Sequence, residues 1–222
     1  MASSSAGELL AVGRLILAPL LLVASKMVKA PRDAFIKAFH ALEAAEKVVD
    51  DAEEGLRKAV EALTAADAAQ DAAVTVLASR LAGDGFHRTN PFKAFGVLAP
   101  AKLINLNVMK EATTLIALAP RIAAHPKVGA ESKRAAAKMY EAALAARTAS
   151  NEREVALQKR GDAVEARDGS LPKQLRVALA ELKTTIRYVD LLEGTTHYVS
   201  VFRGSTRSRA SKKPQAVEEP VS

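Results

Sequence analysis

The clearest pattern in the chain is a seven-residue spacing of apolar side chains between Pro31 and Arg80. Large apolar residues recur at one heptad position, with Gln70 as the exception, and alanines recur at a neighbouring position. This repeat predicts a helix of about 75 Å with a narrow packing seam, because small residues let a second helix approach closely. The packing positions of the seam are Phe35, Ala38, Leu42, Ala45, Val49, Ala52, Leu56, Ala59 and Leu63.

A second alanine-rich stretch, residues 129–167, repeats apolar positions in steps of three, four and seven, and it predicts the antiparallel partner of residues 32–82. A helix is also predicted over residues 101–124, with Pro120 kinking or ending it, and another after Ser170 as its cap. Residues 195–202 predict an extended segment packed on the bundle. The fold class is therefore all-α, an elongated antiparallel bundle built on a long alanine-rich, coiled-coil-like hairpin.

The N-terminal segment, residues 9–28, is strongly apolar. Arg14 and Lys26 interrupt it, so it falls short of the roughly 20 apolar residues that a membrane span needs. No basic residue precedes Arg14, which argues against the basic n-region of a signal peptide. The pattern favours a buried first helix. A signal peptide or membrane anchor, and an interfacial or partner-binding helix, are the alternatives.

The formal net charge is +7, and most of the excess lies near the C-terminus. These positions form a basic tail that an anionic partner could bind, or that only keeps the chain soluble: Arg203, Arg207, Arg209, Lys212 and Lys213. The sequence thus predicts three regions. Residues 1–30 form an apolar N-terminal helix, 31–203 a helical bundle domain, and 204–222 a disordered basic tail.

Half of the six phenylalanines fall in one loop-like segment between the two predicted halves of the bundle. Phe86, Phe92 and Phe95 lie among the turn signals between Gly83 and Pro100. Aromatic residues in a loop usually indicate that the loop packs down over the end of a bundle, and these three are also a candidate partner surface.

Candidate chemistry is sparse along the chain. The absence of cysteine excludes disulfides, cysteine-ligated metal sites and a thiol nucleophile. There is no nucleophile elbow, phosphate-binding loop or dinucleotide fingerprint. His40 with Glu43, and the acidic run from Asp50 to Glu54, are interpreted as solvated helix faces. The sequence therefore predicts no catalytic residue, no metal and no cofactor, and hence a protein that is not an enzyme.

These patterns favour a non-enzymatic structural or protein-interaction bundle, a scaffold or assembly module. Its expected partner is a protein, including a second copy of the chain. Two alternatives stay open: a membrane-associated protein anchored through residues 9–28, and a non-specific nucleic-acid binder acting through the tail. A cytoplasmic location is favoured over a membrane-associated or exported one.

Overall fold

The computed structural model describes residues 5–203, in which helices are joined by short loops and no strand occurs. The α-helices of this range are α1 (Ala6–Leu21), α2 (Lys29–Gly83), α3 (Pro100–Leu103), α4 (Val108–Ala124), α5 (Ala130–Asp168) and α6 (Leu171–Glu193). Two 3-10 helices (Lys26–Val28 and Pro91–Phe95) and a π-helix (Val199–Arg203) complete it. The prediction of an all-α fold is confirmed. The tail beyond Arg203, with Arg207, Arg209, Lys212 and Lys213, lies outside the described residues.

The long helices α2 and α5 pack against each other as the predicted hairpin. Arg167 on α5 pairs with Glu46 on α2 at 3.1 Å. Arg160, seven residues earlier on α5, pairs at 2.9 Å with Glu53, which lies seven residues later on α2 than Glu46. This opposite progression along the two helices is what an antiparallel pairing requires, and it places both glutamates at the edge of the heptad seam.

The chain divides into two compact units, and the boundaries differ from those drawn on the sequence. Among the described residues, the first unit contains residues 5–50 and 162–203, and the second contains Asp51–Gly161. The border that the sequence suggested at residue 30 lies inside the first unit. The apolar N-terminal helix is therefore part of the larger core of the first unit.

Helix α1 starts with a capping box, in which Ser5 Oγ accepts from the backbone N–H of Glu8 and the Glu8 carboxylate accepts from the N–H of Ser5. One face is buried in the core of the first unit with α6 and the start of α2: Ala6, Leu9, Leu10, Ile16 and Leu20. The expectation of a buried first helix is confirmed. In the described range, no helix combines the length and the apolar character needed to cross a bilayer.

The core of the second unit joins the end of α2, the 3-10 helix Pro91–Phe95, α4 and the first part of α5. Its largest fully buried members are Leu77, Leu81, Phe92, Leu103, Leu115, Leu118 and Ile122. Asp84, just after α2, fixes the start of α5, because its Oδ2 accepts from the N–H of Gly129 at 2.9 Å.

The predicted single helix over residues 101–124 is wrong. Helix α3 ends at Leu103 and α4 begins at Val108. The side chain of Asn107 caps the new helix by accepting from the N–H of Met109 at 3.0 Å, a bond that favours a helix start over a helix interior. Pro120 does not end α4, which continues to Ala124.

The start of α6 also differs from the prediction at Ser170. Ser170 precedes the helix, but its side chain makes no capping bond to the backbone. Its hydroxyl instead accepts from the side-chain amide of Gln174 at 2.9 Å. The cap position was predicted correctly, whereas its hydrogen bond was not.

The predicted extended segment after α6 is instead helical and ends in the π-helix Val199–Arg203. The carboxylate of Asp190 accepts from the hydroxyl of Thr195 at 2.6 Å. It also accepts from the backbone N–H groups of His197 and Tyr198 at 2.9 and 2.8 Å. These bonds hold the segment in a turn against α6, where an extended strand would have no neighbouring strand to pair with.

Candidate functional site

The residues that the sequence assigned to helix packing differ in burial along α2. Phe35, Leu42 and Val49 are buried. The others are half-buried: Ala38, Ala45, Ala52, Leu56, Ala59 and Leu63. The seam thus faces protein most completely in the first unit and is more open in the second.

The phenylalanine segment packs inward and does not form a surface. Phe92 and Phe95 belong to the core of the second unit, and Phe86 is half-buried beside them. His125 sits edge-on to the rings of Phe86 and Phe95, at centroid distances of 5.3 and 5.4 Å. The expectation that this loop packs down over the bundle is therefore confirmed, whereas that of a partner surface is wrong for Phe92 and Phe95, because their rings are buried away from water.

The polar groups singled out on α2 form ion pairs on a solvated face. His40 Nδ1 lies 3.4 Å from a carboxylate oxygen of Glu43, which also pairs with Arg14 at 3.3 Å. In the acidic run, Glu54 pairs with Arg57 at 2.7 Å. The hydrogen bond from Arg57 is the main reason that the pKa of Glu54 falls to about 2. The interpretation of these residues as solvated helix faces is confirmed.

Sequence reasoning missed a cluster of three carboxylates in the second unit. Asp67 and Asp71 lie one turn apart on α2, and Glu111 lies in the first turn of α4. One carboxylate oxygen from each residue lies within 4.8 Å of those of the other two. Glu111 is 1% exposed, whereas both aspartates are half-buried.

The charges of this cluster repel one another in a partly dry environment. Burial and then the charge of Asp71 raise the pKa of Glu111 to about 7, although the nearby amide of Gln70 opposes the shift. Burial, followed by the charge of Asp67, also raises the pKa of Asp71. Near neutral pH the cluster therefore favours taking up a positive charge, either a proton or a cation.

Several polar atoms around the cluster have no hydrogen-bond partner of normal geometry within the described chain. They are both amide atoms of Gln70, both carboxylate oxygens of Glu111 and one oxygen of Asp71. Gln70 is wholly buried. Buried polar groups are nearly always satisfied in folded proteins, so such a concentration requires an explanation. The sequence contained one sign of this unsatisfied cluster, because Gln70 is the single polar residue at the heptad position that is otherwise large and apolar.

A second unusual feature is an exposed apolar surface at one end of the first unit, which we call the aliphatic end. It comprises Leu21, Leu22, Met27, Leu191 and Leu192, of which Leu22 and Leu191 are 81% and 83% exposed. A hydrogen bond of 3.0 Å from Ser25 to Glu193 joins the loop after α1 to the end of α6. The leucines of both helices are thereby held at the same end of the unit.

Compared with models of protein families, with curated proteins and with solved structures, the chain shows no significant match to any of them.

Proposed function

We propose that this protein is a non-enzymatic helical interaction module that assembles with a second copy of itself through the aliphatic end. The observation that carries the proposal is the exposure of two adjacent leucines at the end of each of two helices, Leu21 with Leu22 just after α1, and Leu191 with Leu192 in α6. Single exposed apolar residues are common on protein surfaces, but groups of them mark interaction sites.

The charges beside the aliphatic end favour a second copy as the partner. Lys26 is exposed on the 3-10 helix and Lys29 at the start of α2, while Glu193 is exposed at the end of α6. In a two-fold dimer the same patch meets itself, so a patch that carries both signs of charge can pair its lysines with the glutamate of the other copy.

The test is light scattering on the full chain eluting from a sizing column over a wide range of concentrations. We expect a dimer that dissociates on dilution, and we expect Leu22→Lys and Leu191→Lys to give monomers at every concentration, because each places a charge at the centre of the contact. The matched control is Leu98→Lys, an exposed leucine in the second unit. A wild-type monomer throughout, or variants as dimeric as wild type, would contradict the proposal.

A second candidate function, association with a membrane surface, is favoured by Lys26 and Lys29 beside exposed leucines. Aliphatic side chains with flanking lysines are the combination that interfacial helices use. Co-sedimentation of the chain with vesicles of anionic lipid, with neutral vesicles as the control, separates the two functions. Binding by a monomeric wild type, lost in Leu22→Lys and in Lys26→Glu, would establish the membrane function and replace self-association.

Binding of nucleic acid through the basic tail stays a prediction. Arg203, its first residue, is exposed at the end of the π-helix. A tail that grips phosphates predicts an affinity for duplex DNA that falls steeply with salt and disappears when residues 204–222 are deleted. Equal DNA binding by the truncated and full chains would contradict this prediction.

A further inference from the structure

The carboxylate cluster of Asp67, Asp71 and Glu111 presents three acidic side chains to one point. The two aspartates share a helix face because residues four apart are neighbours on a helix. Glu111 reaches the same point from α4, and the three carboxylate oxygens lie within 4.8 Å of one another. The other charged groups that act on Glu111 are Asp71 and Asp67, so the charge is concentrated and of one sign.

The second observation is independent of this charge. Gln70 lies between the two aspartates in sequence, is wholly buried, and has neither its oxygen nor its nitrogen hydrogen-bonded within the described chain. Its amide lies close enough to the carboxylate of Glu111 to influence it, yet without a hydrogen bond of normal geometry. A wholly buried amide thus lies against the cluster without a hydrogen-bond partner of normal geometry.

We infer that Asp67, Asp71 and Glu111, with the amide of Gln70 beside them, bind one hard divalent cation. An ion at this position would satisfy the free oxygens and offset the repulsion among the carboxylates. The half-buried aspartates leave a route from solvent. The site lies within the second unit and is separate from the aliphatic end, so its test does not depend on the proposed function.

The donor atoms select the class of ion. The three converging donors are carboxylate oxygens, which suit calcium, magnesium and manganese, and no histidine or cysteine belongs to the cluster. Calcium accepts irregular geometry at roughly 2.3–2.6 Å, whereas magnesium requires a nearly ideal octahedron at roughly 2.0–2.1 Å. Donors that come from two helices at separations of up to 4.8 Å therefore favour calcium over magnesium.

The experiment is calorimetric titration of calcium chloride into the full chain after treatment with a chelator, repeated with magnesium chloride and manganese chloride. We expect one calcium ion per chain, bound more tightly than magnesium. Asp71→Asn and Glu111→Gln should each weaken calcium binding at least about tenfold, since the loss even of an outer partner of a metal weakens binding about 10- to 100-fold. The matched control is Asp50→Asn, an exposed acid on the same helix, with wild-type affinity.

A readout of thermal unfolding separates a binding site from a merely structural cluster. Glu111→Gln removes a buried charge and Gln70→Leu removes a buried amide without partners. Both variants should therefore raise the melting temperature of the ion-free chain while losing the increase that calcium gives to wild type. The inference is overturned if wild type binds none of the three ions at millimolar concentration, or if the variants bind calcium as well as wild type.

Discussion

A carboxylate oxygen of Asp71 on α2 lies within 4.8 Å of a carboxylate oxygen of Glu111 on α4. Glu111 is almost completely buried, and the two acids come from helices that are far apart in the sequence. In the absence of a cation, this contact destabilises the folded chain whenever both groups are ionised, because like charges in a medium of low polarity repel strongly.

The first prediction concerns the stability of the ion-free chain as a function of pH. The pKa of Glu111 in the folded chain is about 7, above its ordinary value of 4.5. The folded state therefore holds the proton more tightly, and the stability gained is fully present below the ordinary pKa and lost as the pH rises through 7. Urea unfolding with a chelator present should show that Glu111→Gln is more stable than wild type at pH 8, by about 2–3 kcal/mol.

The difference between Glu111→Gln and wild type should shrink towards zero at pH 4, where the carboxyl is protonated in both states. The control is Glu141→Gln, an exposed acid on α5 in the same unit, which should follow the wild-type curve at every pH. A constant difference between Glu111→Gln and wild type across this range would show that titration of Glu111 does not affect stability.

Local sequence signals predicted the hairpin and most helix ends. The heptad repeat of α2 and the alanine pattern of α5 are properties of each segment alone, so they can be read without the fold. Helix α6 ends where the backbone takes the left-handed conformation that glycine allows, at Gly194, whose φ is +66°.

The carboxylate cluster could not be predicted, because Glu111 meets Asp67 and Asp71 only after α4 has packed on α2. The polar Gln70 in the apolar heptad position indicated an unusual site on α2, but it did not indicate that Glu111 would meet it. The turn after α6 was missed for a related reason. Its β-branched and aromatic residues favour a strand. Its conformation is instead decided by hydrogen bonds from Thr195 and His197 to Asp190, which lies outside the segment, in α6.

The second prediction tests the packing of α1 on α2 in the first unit. Gly13 is buried, and a Cβ atom at this position would overlap the ring of Phe39. Gly13→Ala should therefore lower the free energy of unfolding by about 1–3 kcal/mol, despite the higher helix propensity of alanine. Chemical denaturation measures the change, and the second substitution Phe39→Leu should restore part of the loss.

Gly7, on the same helix, provides the control for Gly13. A Cβ atom at Gly7 would meet no other atom within 4 Å, so Gly7→Ala should be neutral or stabilise the chain by up to about 1 kcal/mol. If both alanine variants are equally stable, α1 does not approach Phe39 as closely as the structure shows.

The third prediction concerns Asp190 and the turn that follows α6. Burial raises the pKa of Asp190, but the hydrogen bonds from Thr195, Tyr198 and His197 outweigh it and hold the pKa below its ordinary value. Such a group contributes stability above its ordinary pKa, and the contribution is lost as the pH falls. Asp190→Asn should lower the free energy of unfolding by about 1–3 kcal/mol at pH 7.

Hydrogen exchange gives the local readout for Asp190→Asn. The amide hydrogens of His197 and Tyr198, which are bonded to Asp190, should exchange faster in this variant, and the difference in stability should narrow near pH 3. The control is Glu181→Gln, an exposed acid on α6. Unchanged exchange at both amides would mean that Asp190 does not hold the turn.

The last prediction tests whether α5 depends on small residues for its close contacts in the second unit. Ala146 is completely buried, whereas its neighbour Ala145 is exposed. Alanine and leucine have similar helix propensities, so a difference between Ala146→Leu and Ala145→Leu reports packing alone. We expect Ala146→Leu to lower the free energy of unfolding by about 1–3 kcal/mol through overpacking, and Ala145→Leu to match wild type. Ala59→Leu, at a half-buried position on the facing helix α2, should fall between them. If thermal unfolding finds all three variants as stable as wild type, the helices have room for larger side chains and the alanine pattern does not determine how closely they pack.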